Sequence, residues 1–275
     1  QKSFLPEKPW RKTELTLHPE DAEGTVELVY ANGVLIKSTN LRPRLQNQLR
    51  RLAAYKNPEF HKKLAVGFST LGIPRIVYCG YDDGDFICLP RGCAEKLKEL
   101  LEEAAIPYHI TDERQLGCKI RVSFAGQLYP EQQRATDALL AHDIGALSAA
   151  TAFGKTAVGA YLIAARRVNT LVLVDNAEIL KNWQEDLQKF LKIEEEPPTY
   201  TTPTGRVKRR RSVIGKLQGG QNTLTGILDV AMSPSLGKSD RLEELVQGYG
   251  MVLMDECHHA GADTDTAVLR SVAAK

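Results

Sequence analysis

No apolar stretch in this 275-residue chain approaches the roughly 20 residues that a helix needs to cross a bilayer. The opening QKSFLPEKPW has no apolar segment of the kind that marks a secretory signal. Cysteines are few and scattered. Cys79, Cys88, Cys93, Cys118 and Cys257 form no Cys-x-x-Cys pair and no Cys/His spacing suited to zinc. That argues against a disulfide scaffold and a zinc site, and reduced thiols in a cytoplasmic protein with no membrane partner are expected. The formal charge of +2 is too small to argue by itself for a polyanionic partner. Internal repeats and low-complexity tracts are missing too. So are an initiator methionine and a terminating turn before Lys275, and the sequence reads as a piece of something longer.

What is present is a soluble composition, 43% hydrophobic and 25% charged, over a length that accommodates two cores. Asn32-Gly33 between two β-rich runs predicts a tight hairpin within 13–37. Leu41, Leu45, Leu49 and Leu52 recur at helical spacing, with Pro43 in the first turn and Asn57-Pro58 ending the run. Arg42, Arg44, Arg50 and Arg51 lie off that leucine seam. A solvated face and a phosphate-contacting face both fit them, and Arg44 and Arg51 are the candidates for the second. Strands are expected at 75–79 and 86–89 across the turn YDDGD, then a helix at 93–105, and strands at 108–111 and 120–124. This predicts a small α+β domain over 1–125.

From Gly126 the pattern changes to buried strands alternating with helices. Helices are expected at 130–141, 156–166, 177–191 and 240–247, and strands at 145–149, 171–174, 227–232 and 251–254. That order describes a parallel, doubly wound α/β domain over 126–275. Most of the proline-, glycine- and threonine-rich stretch 194–226 reads as an irregular or mobile excursion. Its basic run, Lys208 to Arg211, fits either a solvated insertion or an arm that grips phosphate through Arg209, Arg210 and Arg211.

Within SAATAFGKT, Gly154, Lys155 and Thr156 sit where an apolar run gives way to a helix. Unpaired backbone N–H groups at a helix start, together with the helix dipole, attract an anion. A lysine then reaches the outer phosphates and a Ser/Thr hydroxyl holds magnesium. About a hundred residues later, MVLMDECHH gives an apolar strand ending in two acids, Asp255 and Glu256. One carboxylate can hold magnesium and its neighbour can orient an attacking water as general base. Either signature alone also has a bland explanation, a chance match or a solvated, helix-capping acidic turn. The pair, in this order, points to a site for ATP and magnesium.

The pair resembles the superfamily 2 helicases, with Asp255-Glu256-Cys257-His258 as a DEAD/DEAH-box variant of the XPB-like and type III restriction-like branch. The family's first motif reads AxTGxGKT, so Ala149 matches it and Ala152 stands where glycine is usual. The resemblance implies a first RecA-like P-loop domain with a parallel sheet. It implies ATP binding by Gln132, Thr151, Ala152, Phe153, Gly154, Lys155 and Thr156, with Gln132 on the adenine edge. It assigns catalytic roles to Lys155, Asp255 and Glu256 and magnesium to Thr156 and Asp255. Leu171 to Trp183 resembles the family's nucleic-acid-touching motif Ia, with Asp175-Asn176 in place of His-Arg. Asp229 to Leu236 resembles the segment around motif Ib, with Ser235 as a phosphate-contacting hydroxyl.

The stretch 86–124 is similar to the damage-recognition-type domain that precedes the core in XPB-like and phage repair helicases, which implies engagement of duplex DNA. The stretch 41–156 resembles helicases of primase-associated bacterial conflict systems. Members close two RecA-like domains over ATP, the second supplying arginine fingers. That second domain is therefore an expected partner, and this segment alone is expected to bind Mg-ATP weakly and hydrolyse it poorly. Three functions remain open: a DNA helicase, a nucleic-acid-binding module with a silent nucleotide loop, and a duplex translocase of a restriction or antiviral assembly. RNA in place of DNA also remains open.

Overall fold

The computed structural model describes residues 16–202, 204–261 and 263–275. Its contacts divide the chain into two compact units, with the division between Thr111 and Asp112.

The first unit carries β1 (Val26–Tyr30), β2 (Val34–Lys37), α1 (Pro43–Leu52), β3 (Ala54–Lys56), α2 (Pro58–Ala65), β4 (Ile76–Tyr78), β5 (Tyr81–Asp83), β6 (Phe86–Leu89), α3 (Ala94–Glu103) and β7 (Tyr108–Asp112). The Asn32-Gly33 hairpin forms as expected, pairing Tyr30 with Val34 and Leu28 with Ile36. A five-stranded sheet runs in the order β5-β6-β2-β1-β7. Leu28, Ile36, Leu45, Leu49, Leu97 and Leu101 fill its core with no exposed surface. Burying each such side chain contributes about 1.5–3 kcal/mol.

Two expectations for this unit change. Asn57-Pro58 does not simply end a helix but starts α2, with Asn57 Oδ1 accepting from Glu59 N at 3.0 Å and Pro58 in the first turn, where its missing N–H costs nothing. YDDGD is not a turn alone, because Tyr81–Asp83 is a strand that pairs across a tight turn with Phe86–Leu89, while Ile76–Tyr78 pairs with β3.

The second unit carries β8 (Val122–Phe124), α4 (Pro130–Leu140), α5 (Lys155–Arg166), β9 (Thr170–Val174), α6 (Ala177–Phe190), β10 (Leu191–Ile193), β11 (Thr199–Thr201), β12 (Val207–Arg209), β13 (Ile214–Gln218), β14 (Gln221–Asn222), β15 (Leu228–Met232), α7 (Ser233–Leu236), α8 (Leu242–Val246), β16 (Met251–Met254) and α9 (Asp263–Ser271). Its main sheet has the order β14-β13-β15-β9-β16. β13, β15, β9 and β16 are parallel neighbours, so this is the α/β fold with a parallel sheet. β9 lies inside, buried along its whole length, because Leu171 to Val174 meets apolar side chains on both faces.

Here too the structure departs from the sequence reading. The boundary falls near 111 and not at 125, because Val122–Phe124 pairs antiparallel with Leu191–Ile193 of the second unit. Most of 194–226 lies outside strands, but the stretch also supplies the β11/β12 hairpin and β13, a strand of the main sheet that the sequence reading did not place. The segment 145–149 is not a strand. Strand structure requires a paired neighbour, and among the described residues β16 ends the sheet with β9 on one side only.

Two buried polar residues lock the end of the sheet opposite the site. Asn169 is 4% exposed, and its Oδ1 accepts from Cys118 N and Gly250 N while its Nδ2 donates to Gly226 O and Gly248 O, at 2.8–3.1 Å. Asp229, fully buried, accepts from Tyr249 Oη at 2.6 Å, Gly226 N at 2.7 Å and Thr225 N at 2.9 Å. Burial pushes its carboxyl up from the usual range, and these donors oppose that push. Among the described residues no helix is long and apolar enough to cross a membrane.

Candidate functional site: a phosphate loop facing an acidic strand tip

The loop Thr151–Gly154 turns into α5 through two left-handed residues, Ala152 at φ 65° and Gly154 at φ 81°. Gly154 occupies the N-cap position of α5, and no side chain caps the helix there. The first-turn N–H groups are therefore free of a side-chain competitor and add to the positive end of a 12-residue helix. Lys155 and Thr156 begin that helix, both half-buried. Phe153 tucks against the apolar core and fixes the loop from below.

Gln132 supports the same loop. It is 4% exposed, its Oε1 accepts from Tyr129 N at 2.9 Å and its Nε2 donates to Phe153 O at 2.7 Å. A side chain at Gly154 would put a Cβ 2.5 Å from that same Nε2, so glycine is required by close approach as well as by φ. The structure thus places Gln132 under the loop, holding its backbone, with its amide oxygen already engaged.

β16 delivers Asp255 and Glu256 to the same end of the sheet. Asp255 N donates to Leu173 O at 3.0 Å, which continues the pairing of β16 with β9 to the strand tip. Glu256 then adopts a left-handed backbone, φ 49°, and its Oε1 lies 3.9 Å from Lys155 Nζ. Its Oε2 lies 3.2 Å from His258 Nδ1. Lys155 and Glu256, 101 positions apart in the chain, are thereby brought together.

Asp255 is held by a residue that sequence reasoning left out of the site. Trp183 Nε1 donates to Asp255 Oδ2 at 2.8 Å, and Glu256 N donates to Oδ1 at 2.9 Å. The indole is 5% exposed, and α5 passes it so closely that a Cβ on Gly159 would lie 2.7 Å from its ring. The motif Ia resemblance that ends at Trp183 pointed to nucleic acid, and the signal for this role was a tryptophan on the buried face of α6, whose N–H needs a partner once buried.

Among the described residues no group of three or more His, Cys, Asp and Glu side chains could hold a metal alone. Magnesium does not require one, because it binds through one or two protein oxygens plus phosphates and water. A Thr156 hydroxyl and an oriented Asp255 carboxylate fit that requirement.

The other expected contacts are dispersed. Ser235 lies in a cleft of about 620 Å³ with Gly219, Asn222 and Lys238, and its Oγ accepts from Gly219 N at 2.9 Å. Asn176 Oδ1 caps α6 by accepting from Ile179 N. Arg209 pairs with Glu196 at 3.1 Å, Arg210 stacks over Tyr200 at 4.3 Å, and Arg211 is exposed. Arg44 and Arg51 belong to the other unit; Arg51 is exposed, and Arg44 Nε is buried without a hydrogen-bond partner.

The family model described as "Type III restriction enzyme, res subunit" matches residues 125–275. The chain belongs to this family. A "DNA 3'-5' translocase XPB2" of Sulfurisphaera tokodaii is 26% identical over 133 residues, 48% of this chain and 25% of the relative. The crystal structure of T4 UvsW superposes with a TM-score of 0.57 at 14% identity, covering 90% of this chain and 50% of that one. The chain therefore spans a quarter of that relative's length and half of UvsW's. The fold agrees with that likeness, an α/β domain with a parallel, RecA-like sheet.

Proposed function

We propose that this res-subunit family chain is the ATP-binding half of a DNA-dependent ATPase, a helicase or duplex translocase. The observation that carries the proposal is the meeting of Lys155 and Glu256 across the uncapped start of α5. Each is also the residue type that phosphoryl transfer to water needs at that place.

With ATP bound, Lys155 would leave Glu256 for the outer phosphates, and the first-turn N–H groups of α5 would cradle them. Thr156 and Asp255 would hold magnesium, which neutralises phosphate charge. Glu256, released from the lysine, would orient the attacking water and accept its proton. Thr151, Ala152 and Phe153 shape the loop, and Gln132, which holds it through Phe153 O, would meet the adenine edge with its remaining N–H and lone pair. A second RecA-like domain would complete the site.

For DNA, the proposed contacts are Ser235, Arg210 and Arg211 in the second unit, and Arg44 and Arg51 in the first, which would act as the duplex-engaging domain; Arg209, of the same basic run, pairs with Glu196. The family description favours a duplex translocase of a restriction assembly as the second reading.

Reciprocal linkage tests the proposal. A motor domain must let Mg-ATP change DNA affinity and DNA change Mg-ATP affinity by the same factor. Fluorescence anisotropy of labelled DNA, with and without Mg-ATP, is expected to show a shift of severalfold. DNA affinity indifferent to nucleotide would favour a binding module with a silent loop.

A further inference from the structure

The hairpin β11/β12 stands apart from the main sheet and, among the described residues, pairs only with itself. Its register sets Thr199 opposite Arg209, Tyr200 opposite Lys208 and Thr201 opposite Val207. Opposed residues share a face and successive residues alternate, so Tyr200 and Lys208 share theirs with Arg206 and Arg210. Pairing continues on both sides of the strands, with Thr202 N donating to Arg206 O and Arg210 N to Pro198 O, each at 2.8 Å. The stack of Arg210 over Tyr200 is the side-chain counterpart of that shared face.

Arg209 lies on the other face and is neutralised by Glu196. The rest of the local acidic run is also spent, Glu194 on Lys192 and Glu195 on Arg121. Among the described residues no carboxylate forms an ion pair with Arg206, Lys208 or Arg210. Alternate residues of a strand stand about 6.6 Å apart, close to the separation of successive phosphates on a nucleic-acid strand. Stacking on Tyr200 holds the Arg210 guanidinium in place and leaves its charge intact.

The row does not stop at the hairpin. Arg210 Nη1 reaches Asn222 O at 3.5 Å, and Asn222 lines the cleft that also contains Ser235 and Lys238. The geometry points to a track for the sugar-phosphate backbone of DNA, running from Arg206, Lys208 and Arg210 into the Ser235–Lys238 cleft. It deepens the DNA-motor reading and rests on it. It also replaces the contiguous run Arg209–Arg211 by alternate residues as the gripping set.

The test is the salt dependence of binding to labelled single-stranded and duplex DNA. Wild type is compared with the triple variant Arg206→Ser, Lys208→Ser, Arg210→Ser, with Lys238→Ser, and with Arg209→Ser as control. All the positions are on the surface, and unchanged melting temperatures establish that the variants fold. Each neutralised phosphate contributes about 0.9 to the slope of log affinity against log salt on duplex and about 0.7 on a single strand. The triple variant is expected to lose about 2–3 from that slope and at least tenfold in affinity at about 0.1 M salt on one or both probes. Lys238→Ser is expected to lose about 1, and Arg209→Ser to stay within twofold of wild type. A triple variant with wild-type affinity and slope, or an equal loss in Arg209→Ser, would overturn the track and leave the DNA reading standing. A wild type without salt-dependent DNA binding would overturn both.

Discussion

Trp183 donates its indole N–H to Asp255 Oδ2 at 2.8 Å, and so joins α6 to the acidic tip of β16. The same ring packs against Gly159 of α5, the helix that Lys155 and Thr156 begin. One side chain therefore sets the orientation of the proposed magnesium ligand and the seating of the phosphate-binding helix. Trp183→Phe keeps the ring's bulk and removes the donor. Losing such a supporting hydrogen bond typically weakens metal binding about 10- to 100-fold. The expected result is a magnesium midpoint for nucleotide binding raised about tenfold, with magnesium-free affinity unchanged. An unchanged midpoint would show that the bond is only structural.

Ala152 carries a Cβ at φ 65°, where an L side chain costs about 1–2 kcal/mol. Its side chain is exposed, so packing does not repay that cost. Ala152→Gly is expected to stabilise the chain by about 0.5–1 kcal/mol after the entropy of glycine in the unfolded state is offset, and Ala152→Val to destabilise it. Chemical denaturation should rank the three Gly, Ala, Val in falling stability, with nucleotide binding kept in the glycine variant. A valine variant as stable as wild type would show that the loop relaxes out of the left-handed region.

Asn169 satisfies four backbone groups at the base of the parallel strands. Asn169→Ala leaves buried donors and acceptors unpaired at about 1–3 kcal/mol each. A loss of about 3 kcal/mol or more is expected in urea unfolding, against less than about 0.5 kcal/mol for an exposed control such as Lys181→Ala.

Asp112 is held at about 2, below its usual 3.8, chiefly by hydrogen bonds from the Arg114 side chain. A lowered folded-state value means that the pair's stabilisation is fully present above pH 3.8 and is lost as pH falls toward 2. Asp112→Asn should therefore be less stable than wild type at pH 6, with the gap closing between pH 4 and 2. A gap independent of pH would contradict this.

Much of the site was legible because its parts are local. Gly154-Lys155-Thr156 at a helix start and Asp255-Glu256 at a strand tip are each defined within a few residues. Leu171–Val174 is apolar enough to be a strand buried on both faces. The misses concern relations between distant segments. The run 145–149 has the composition of a strand, but a strand exists only with a partner, and none pairs with it among the described residues. Ile214–Gln218 has a glycine and a lysine where a buried strand usually shows an unbroken apolar run, and only its parallel pairing with β15 reveals it. Trp183 and Asp255 are separated by 72 positions, and no spacing rule connects them.

The central claim is that 151–156 and Asp255-Glu256 form one nucleotide site. Its most direct test is titration of a fluorescent ATP analogue into wild type and Lys155→Ala, with magnesium and with chelator. The account predicts magnesium-dependent binding by wild type that falls at least tenfold in Lys155→Ala, an effect of at least about 1.4 kcal/mol. Binding by wild type that is indifferent to both magnesium and Lys155, or no binding at all, would contradict it.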